Sequence, residues 1–183
     1  MTNTKVEHRL IHNPGIDFLR LLDWIDEIDP NDPSLPFGPY LIETIAVISG
    51  CCAFEGFVNM VGQKIDQSWE NFEKGPISIK KRLEHIYETS HTQVDFSEGI
   101  WQEVLELFQM RVSIMHPKFI DKRKFGGTEI PDLFQITANK YPTSETKRII
   151  KSAIDTLLLD NNLKTLRELY LQRYYFGPPR DQN

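Results

Sequence analysis

TIAVISGCCAFEGFVNMVGQ, residues 44 to 63, decides the fold class. It is the most apolar stretch of the chain and about the length of a membrane span. It nevertheless carries Glu55, Asn59 and the glycines Gly50, Gly56 and Gly62. Val47, Cys51, Phe54, Val58, Val61 and Ile65 recur at the three- and four-residue spacing of one helix face, with Leu41, Ile45, Ile48 and Cys52 as a second stripe beside them. Two adjacent stripes predict a helix buried over much of its girth, the central element of a helical bundle rather than a span. Its expected extent is Tyr40 to Phe72, with Gly75-Pro76 ending it.

Working outward, period 3.6 dominates and strand-like alternation is almost absent. Toward the N-terminus, Pro30, Pro33, Pro36 and Pro39 punctuate a non-helical turn, and Ile16 to Ile28 reads as a short amphipathic helix with Ile16, Leu19, Leu22, Trp24 and Ile25 inward. Toward the C-terminus, helices are expected at Ser78–Glu88 and Gly99–Met115, the second started by Ser97-Glu98 and stopped by Pro117. Thr143 to Tyr175 returns to helix with a break near Asn161-Asn162. The expectation is an all-α, single-domain bundle of five to six helices over residues 15–175. An irregular segment (1–14) precedes it, a long loop (117–142) interrupts it, and a flexible tail (176–183) follows.

Composition sets the outer limits. The chain has 183 residues, 40% hydrophobic, with 21 Lys and Arg against 26 Asp and Glu and a formal charge of −5. That supports one core and excludes wholesale disorder or general polyanion binding, so any nucleic-acid contact must come from a local patch. Cys51 and Cys52, the only cysteines, are neighbours on one helix and form no disulfide framework. As nucleophiles they are poorly placed, since burial raises a thiol's pKa. Reduced thiols and the lack of an apolar signal core at the N-terminus point to the cytoplasm. Neither a metal site nor a cofactor is expected: His8/His12 and His85/His91 lack supporting ligands, and Gly126-Gly127 lacks the strand and helix of a phosphate loop. Trp24, Trp69 and Trp101 read as core or interface aromatics.

The informative residues break the apolar pattern. Glu55 is the only ionisable group between Thr44 and Gln63, cysteines aside. Arg111 falls on the stripe of Ile100, Val104, Leu107 and Ile114. An inward carboxylate is costly unless paired, and arginine does not shed its proton, so each is the natural partner of the other. A structural ion pair between two helices accounts for them, as does an anion-holding site. His116, at the helix end five residues on, reads as a dipole partner or as an acid–base group. Directly after it come Lys118, Lys122, Arg123 and Lys124, with Phe119 and Phe125 among them: a solvated loop, or cations for phosphates and rings for bases.

The helix IAVISGCCAFEGFVNMV followed by the helix LELFQMRVSIMHPKF resembles the HEPN superfamily of helical bundles, whose signature is an arginine followed four to six residues later by a histidine near a helix end. Arg111-x4-His116 has that spacing, and the mid-helix acid Glu55 is similar to that of the family's earlier helix. The likeness covers residues 40 to 118. The position after the arginine, often polar in active members, is Val112 here. The resemblance implies a metal-independent endoribonuclease, without cofactor, of toxin–antitoxin, phage-defence or RNA-processing type, with the site at the interface of a homodimer. It implies Arg111 on the scissile phosphate, His116 as general acid or base, Glu55 orienting the arginine, and a 2′,3′-cyclic phosphate product. An antitoxin or other protein partner is a further expectation. Other members are non-catalytic scaffolds, the first alternative; a small-ligand or nucleotide binder with Arg111 as anion anchor is the second.

Overall fold

The computed structural model describes residues 14–29, 39–116, 137 and 139–176. Among them run seven helices and no strand: α1 (Pro14–Asp26), α2 (Pro39–Ile65), α3 (Trp69–Phe72), α4 (Ile79–Thr89), α5 (Gly99–Met115), α6 (Thr143–Asp160) and α7 (Lys164–Phe176). Apart from Pro14, the expected irregular segment at 1–14 lies outside the described residues. So do most of the loop at 117–142 and the tail beyond residue 176.

α2 is the hub, packing on α1, α3, α4, α5 and α6. Its first stripe behaves as expected up to Val61, with Val47, Cys51, Phe54, Val58 and Val61 fully buried and Ile65, at the helix end, half-buried. Its second does not: Leu41, Ile48 and Cys52 are half-buried and Ile45 is exposed, so the helix has a rim as well as a core face. Among the described residues Leu41–Ile65 is long and apolar enough to cross a membrane, and 61% of its most apolar window is buried inside this fold. Against α6 the approach is close: a Cβ at Gly50 would lie 3.0 Å from Thr146 and 3.1 Å from Ile150. α6 answers with Ile149, Ile150, Ala153, Ile154, Leu157 and Leu158, all buried. α1 closes that side through Ile16, Leu19, Leu22 and Ile25. Trp24, expected inward, is 61% exposed; it sits about 100° around the helix from Ile25 and so faces out.

The central helix is shorter than its periodicity implies. Rather than continuing to Phe72 it ends at Ile65, and Trp69–Phe72 is a separate turn. The cause is Asp66, whose Oδ1 accepts from both the backbone N–H and the hydroxyl of Ser68 at 2.7 Å. A short carboxylate that satisfies local backbone donors competes with the helix ladder. The turn lays Trp69 across the end of α2, where Gly62 gives it room: a Cβ there would fall 2.2 Å from the indole. The expected break at Asn161-Asn162 is present. Asn162 adopts φ +54°, and the Asn161 amide donates to the Leu157 carbonyl at 2.8 Å, a left-handed helix ending of the kind asparagine tolerates. With that break already expected, the separate turn Trp69–Phe72 is what takes the described residues to seven helices, above the expected five to six.

Candidate functional site on the polar side of the central helix

Ser78 caps α4 by accepting from the Lys81 N–H, and Gly99, at φ +60°, opens α5. The expected start at Ser97-Glu98 is correct in place but not in chemistry. Ser97 bonds to Asp95 rather than to the helix, and Glu98 makes no side-chain cap. α5 then runs to Met115 with Trp101, Val104, Leu107 and Phe108 buried.

Arg111 meets Glu55 as the sequence leads one to expect. Its Nη1 lies 3.2 Å from Glu55 Oε2, and the side chains keep 27% and 30% of their exposure. The guanidinium also lies 5.9 Å from the centre of the Phe108 ring, one turn back on α5, within cation–π range. Its Nε is buried and makes no hydrogen bond among the described residues. This pair is only part-desolvated, so it retains access to solvent and to a ligand. Beneath it Cys51 donates to the Leu107 carbonyl at 3.9 Å. Burial drives its pKa far up, with Arg111 pulling it down and Glu55 adding to the rise; burial raises Cys52 as well. Neither thiol is poised as a nucleophile.

The pair lies at the edge of a groove of about 540 Å³ between the start of α4 and the face of α5. Ile79, Leu105 and Phe108 line its apolar part, and Ser78, Lys80 and Gln109 are polar groups on its border. Sequence reasoning did not find these last three, because the groove exists only through the packing of two distant segments.

His116 is not brought to the groove. It is exposed at the C-terminal end of α5, its backbone N–H donating to the Val112 carbonyl at 2.9 Å. The groove lining stops at Val112. Val112 and Met115, between the two, are 57% and 56% exposed. Lys118, Lys122, Arg123 and Lys124, the expected RNA-binding cations, lie outside the described residues.

Two further polar contacts continue the line below Glu55. Arg82 Nη1 donates to Asn59 Oδ1 at 3.1 Å, and His85 Nε2 lies 2.7 Å from Asp66 Oδ2. His85 also stacks on Phe72 at 4.2 Å and 16°. Residues 55 and 59 share one face of α2, a signal present in the spacing, and residue 66 follows just past the helix end. Among the described residues no three His, Cys, Asp or Glu side chains gather as a metal site. No protein-family model matches the chain, and no curated protein or solved structure matches it either.

Proposed function

We propose that this chain is a HEPN-like bundle acting as a metal-independent endoribonuclease, with Arg111 and His116 working on a phosphodiester at the interface of a homodimer in the cytoplasm. The observation that carries the reading is the Glu55–Arg111 pair at 3.2 Å, held on the inner side of α5 yet open to a groove. An arginine fixed by a carboxylate through one terminal nitrogen still presents N–H groups to a phosphate. RNA brings its own nucleophile, the ribose 2′-hydroxyl. Arg111 would neutralise the charge that builds on the phosphate oxygens, and Glu55 would hold it in place. An imidazole suits the proton transfers. His116 would take the 2′-hydroxyl proton or give one to the leaving 5′-oxygen, leaving a 2′,3′-cyclic phosphate and a 5′-hydroxyl. Exposed Val112 and Met115 on the same helix offer apolar surface for the second copy, whose approach would complete the site. A toxin, defence or RNA-processing role, with an antitoxin or other partner, belongs to the same reading.

The test is cleavage of single-stranded RNA in EDTA. His116→Ala should lower the rate by about 10²–10⁴ with the melting temperature nearly unchanged, because the side chain is exposed. No cleavage by wild type rejects the nuclease. One observation favours a second reading, a non-catalytic interaction bundle: within a single chain His116 lies outside the groove that Arg111 lines. In that case the ion pair only locks α2 to α5. Nucleotide-induced thermal shifts without RNA products would instead identify a small-ligand binder anchored by Arg111.

A further inference from the structure

We propose that the groove between the first turn of α4 and α5 seats one nucleotide of a single-stranded RNA next to the phosphate held by Arg111, its base on the floor formed by Ile79, Leu105 and Phe108 and its far phosphate on Lys80 and Ser78. This rests on the RNA reading above and adds where the strand runs.

Size is the first argument. About 540 Å³ falls within the roughly 300–1,000 Å³ of clefts that take small ligands. Chemical make-up is the second. The lining combines a cation on α5, Arg111, with apolar side chains and a second cation on α4, Lys80, which are the groups that two phosphates and the base between them would need. Apolar and aromatic floors accept any base face, while cations track the backbone. Charge is the third. Glu55 is engaged with Arg111, so its negative charge is locally cancelled. Among the described residues Lys80 makes an exposed ion pair to Glu84 at 3.7 Å, which a phosphate oxygen can replace. Ser78 uses its oxygen as acceptor for the Lys81 N–H, which leaves its O–H to donate. Gln109, exposed on the rim, offers an amide donor and acceptor to a base edge.

The probe is a fluorescently labelled single-stranded 2′-O-methyl oligoribonucleotide, which lacks the attacking hydroxyl and so reports binding without cleavage. It is titrated in EDTA against the full chain, with cleavage of ordinary RNA measured in parallel. Lys80→Glu should weaken binding at least about ten-fold and flatten the salt dependence. Lys74→Glu, an equal charge change at an exposed position outside the groove, should have less than about a two-fold effect. An abasic version of the probe should bind wild type about ten-fold more weakly, as expected for lost base contacts. A wild type that cuts RNA but shows the two lysine variants alike, or that holds abasic and ordinary probes equally, overturns the nucleotide seat alone. A wild type that neither cuts nor binds overturns the RNA reading and the seat together.

Discussion

Toward α6, the central helix presents Gly50, packed closely against Thr146 and Ile150; toward α4 and α5 it presents Glu55, Asn59 and, just past its end, Asp66. The first side is close-packed; its polar contacts among the described residues include the Thr143 hydroxyl donating to Glu43, and at its border with α1 Lys147 reaches Asp23 at 2.7 Å and Asp26 at 2.8 Å. The second side carries three polar contacts in a row, each at least partly reachable by solvent. Burial of carbon supplies stability without directional chemistry, whereas half-buried polar pairs contribute modestly to stability and hold groups in place for a ligand. The fold therefore divides its labour across one helix, with the apolar side as scaffold and the polar side as the place to look for function.

Substitutions at four positions test that division. The largest expected loss is on the apolar side. Phe57 is fully buried and meets Tyr170 edge-on at 5.0 Å, so Phe57→Ala should cost about 3–5 kcal/mol in denaturant unfolding. On the polar side Arg111→Ala should cost less, about 1.5–3 kcal/mol, the range for hydrogen bonds to charged groups. Full burial of the pair would imply a larger penalty, but both partners retain more than a quarter of their exposure. An unfolding midpoint for Arg111→Ala as low as that of Phe57→Ala would erase the distinction between the two sides. Arg111→Lys keeps the charge without the planar fork, and should regain part of the stability while leaving RNA cleavage impaired.

The third test uses acid. The Asp66 carboxyl is held below its ordinary value of 3.8, first by its bond to His85 and then by those from Ser68. The unfolded chain thus takes up this proton at higher pH than the folded one. The contribution is complete above the ordinary carboxylate range and is lost as pH falls through the lowered value. Urea midpoints measured between about pH 5 and pH 2 should fall less steeply for Asp66→Asn than for wild type; parallel curves would remove Asp66 from the polar line. The smallest effect belongs to a surface control. Arg148 bonds Glu103 and Glu145 at 2.7 Å on the exterior, and Arg148→Ala should shift stability by only about 0.2–1 kcal/mol.

The all-helical class, the hub role of α2 and the Glu55–Arg111 pair were legible because each follows from a residue's cost in its local setting. A lone carboxylate in a mostly apolar stretch of helix needs a partner, and an arginine on an apolar stripe is one. The break at Asn162 was legible for a similar reason, since asparagine tolerates the left-handed conformation. Apolar spacing through Trp69 and Phe72 masked the end of α2, which is set by the Asp66 side chain bonding to Ser68 and not by periodicity. Trp24 misled because residue type was weighed above helical face. The groove bordered by Ser78, Lys80 and Gln109 could not be read at all, since none of these residues is unusual in its own segment. The place of His116 follows from geometry that residue spacing leaves open: it is a terminal residue beyond the last full turn.

Gly62 gives the corner around Asp66 a single point of dependence. Its lone hydrogen lets the indole of Trp69 lie flat on the last turn of α2, and that indole in turn anchors Glu73 through Nε1 at 2.9 Å and leans on the His85 imidazole at 5.8 Å. Enlarging this one position by a methyl group would pry up the tryptophan like a lifted paving stone. The disturbance would pass from there into the histidine and its carboxylate, so a change in an apolar stretch would be felt first among charged neighbours.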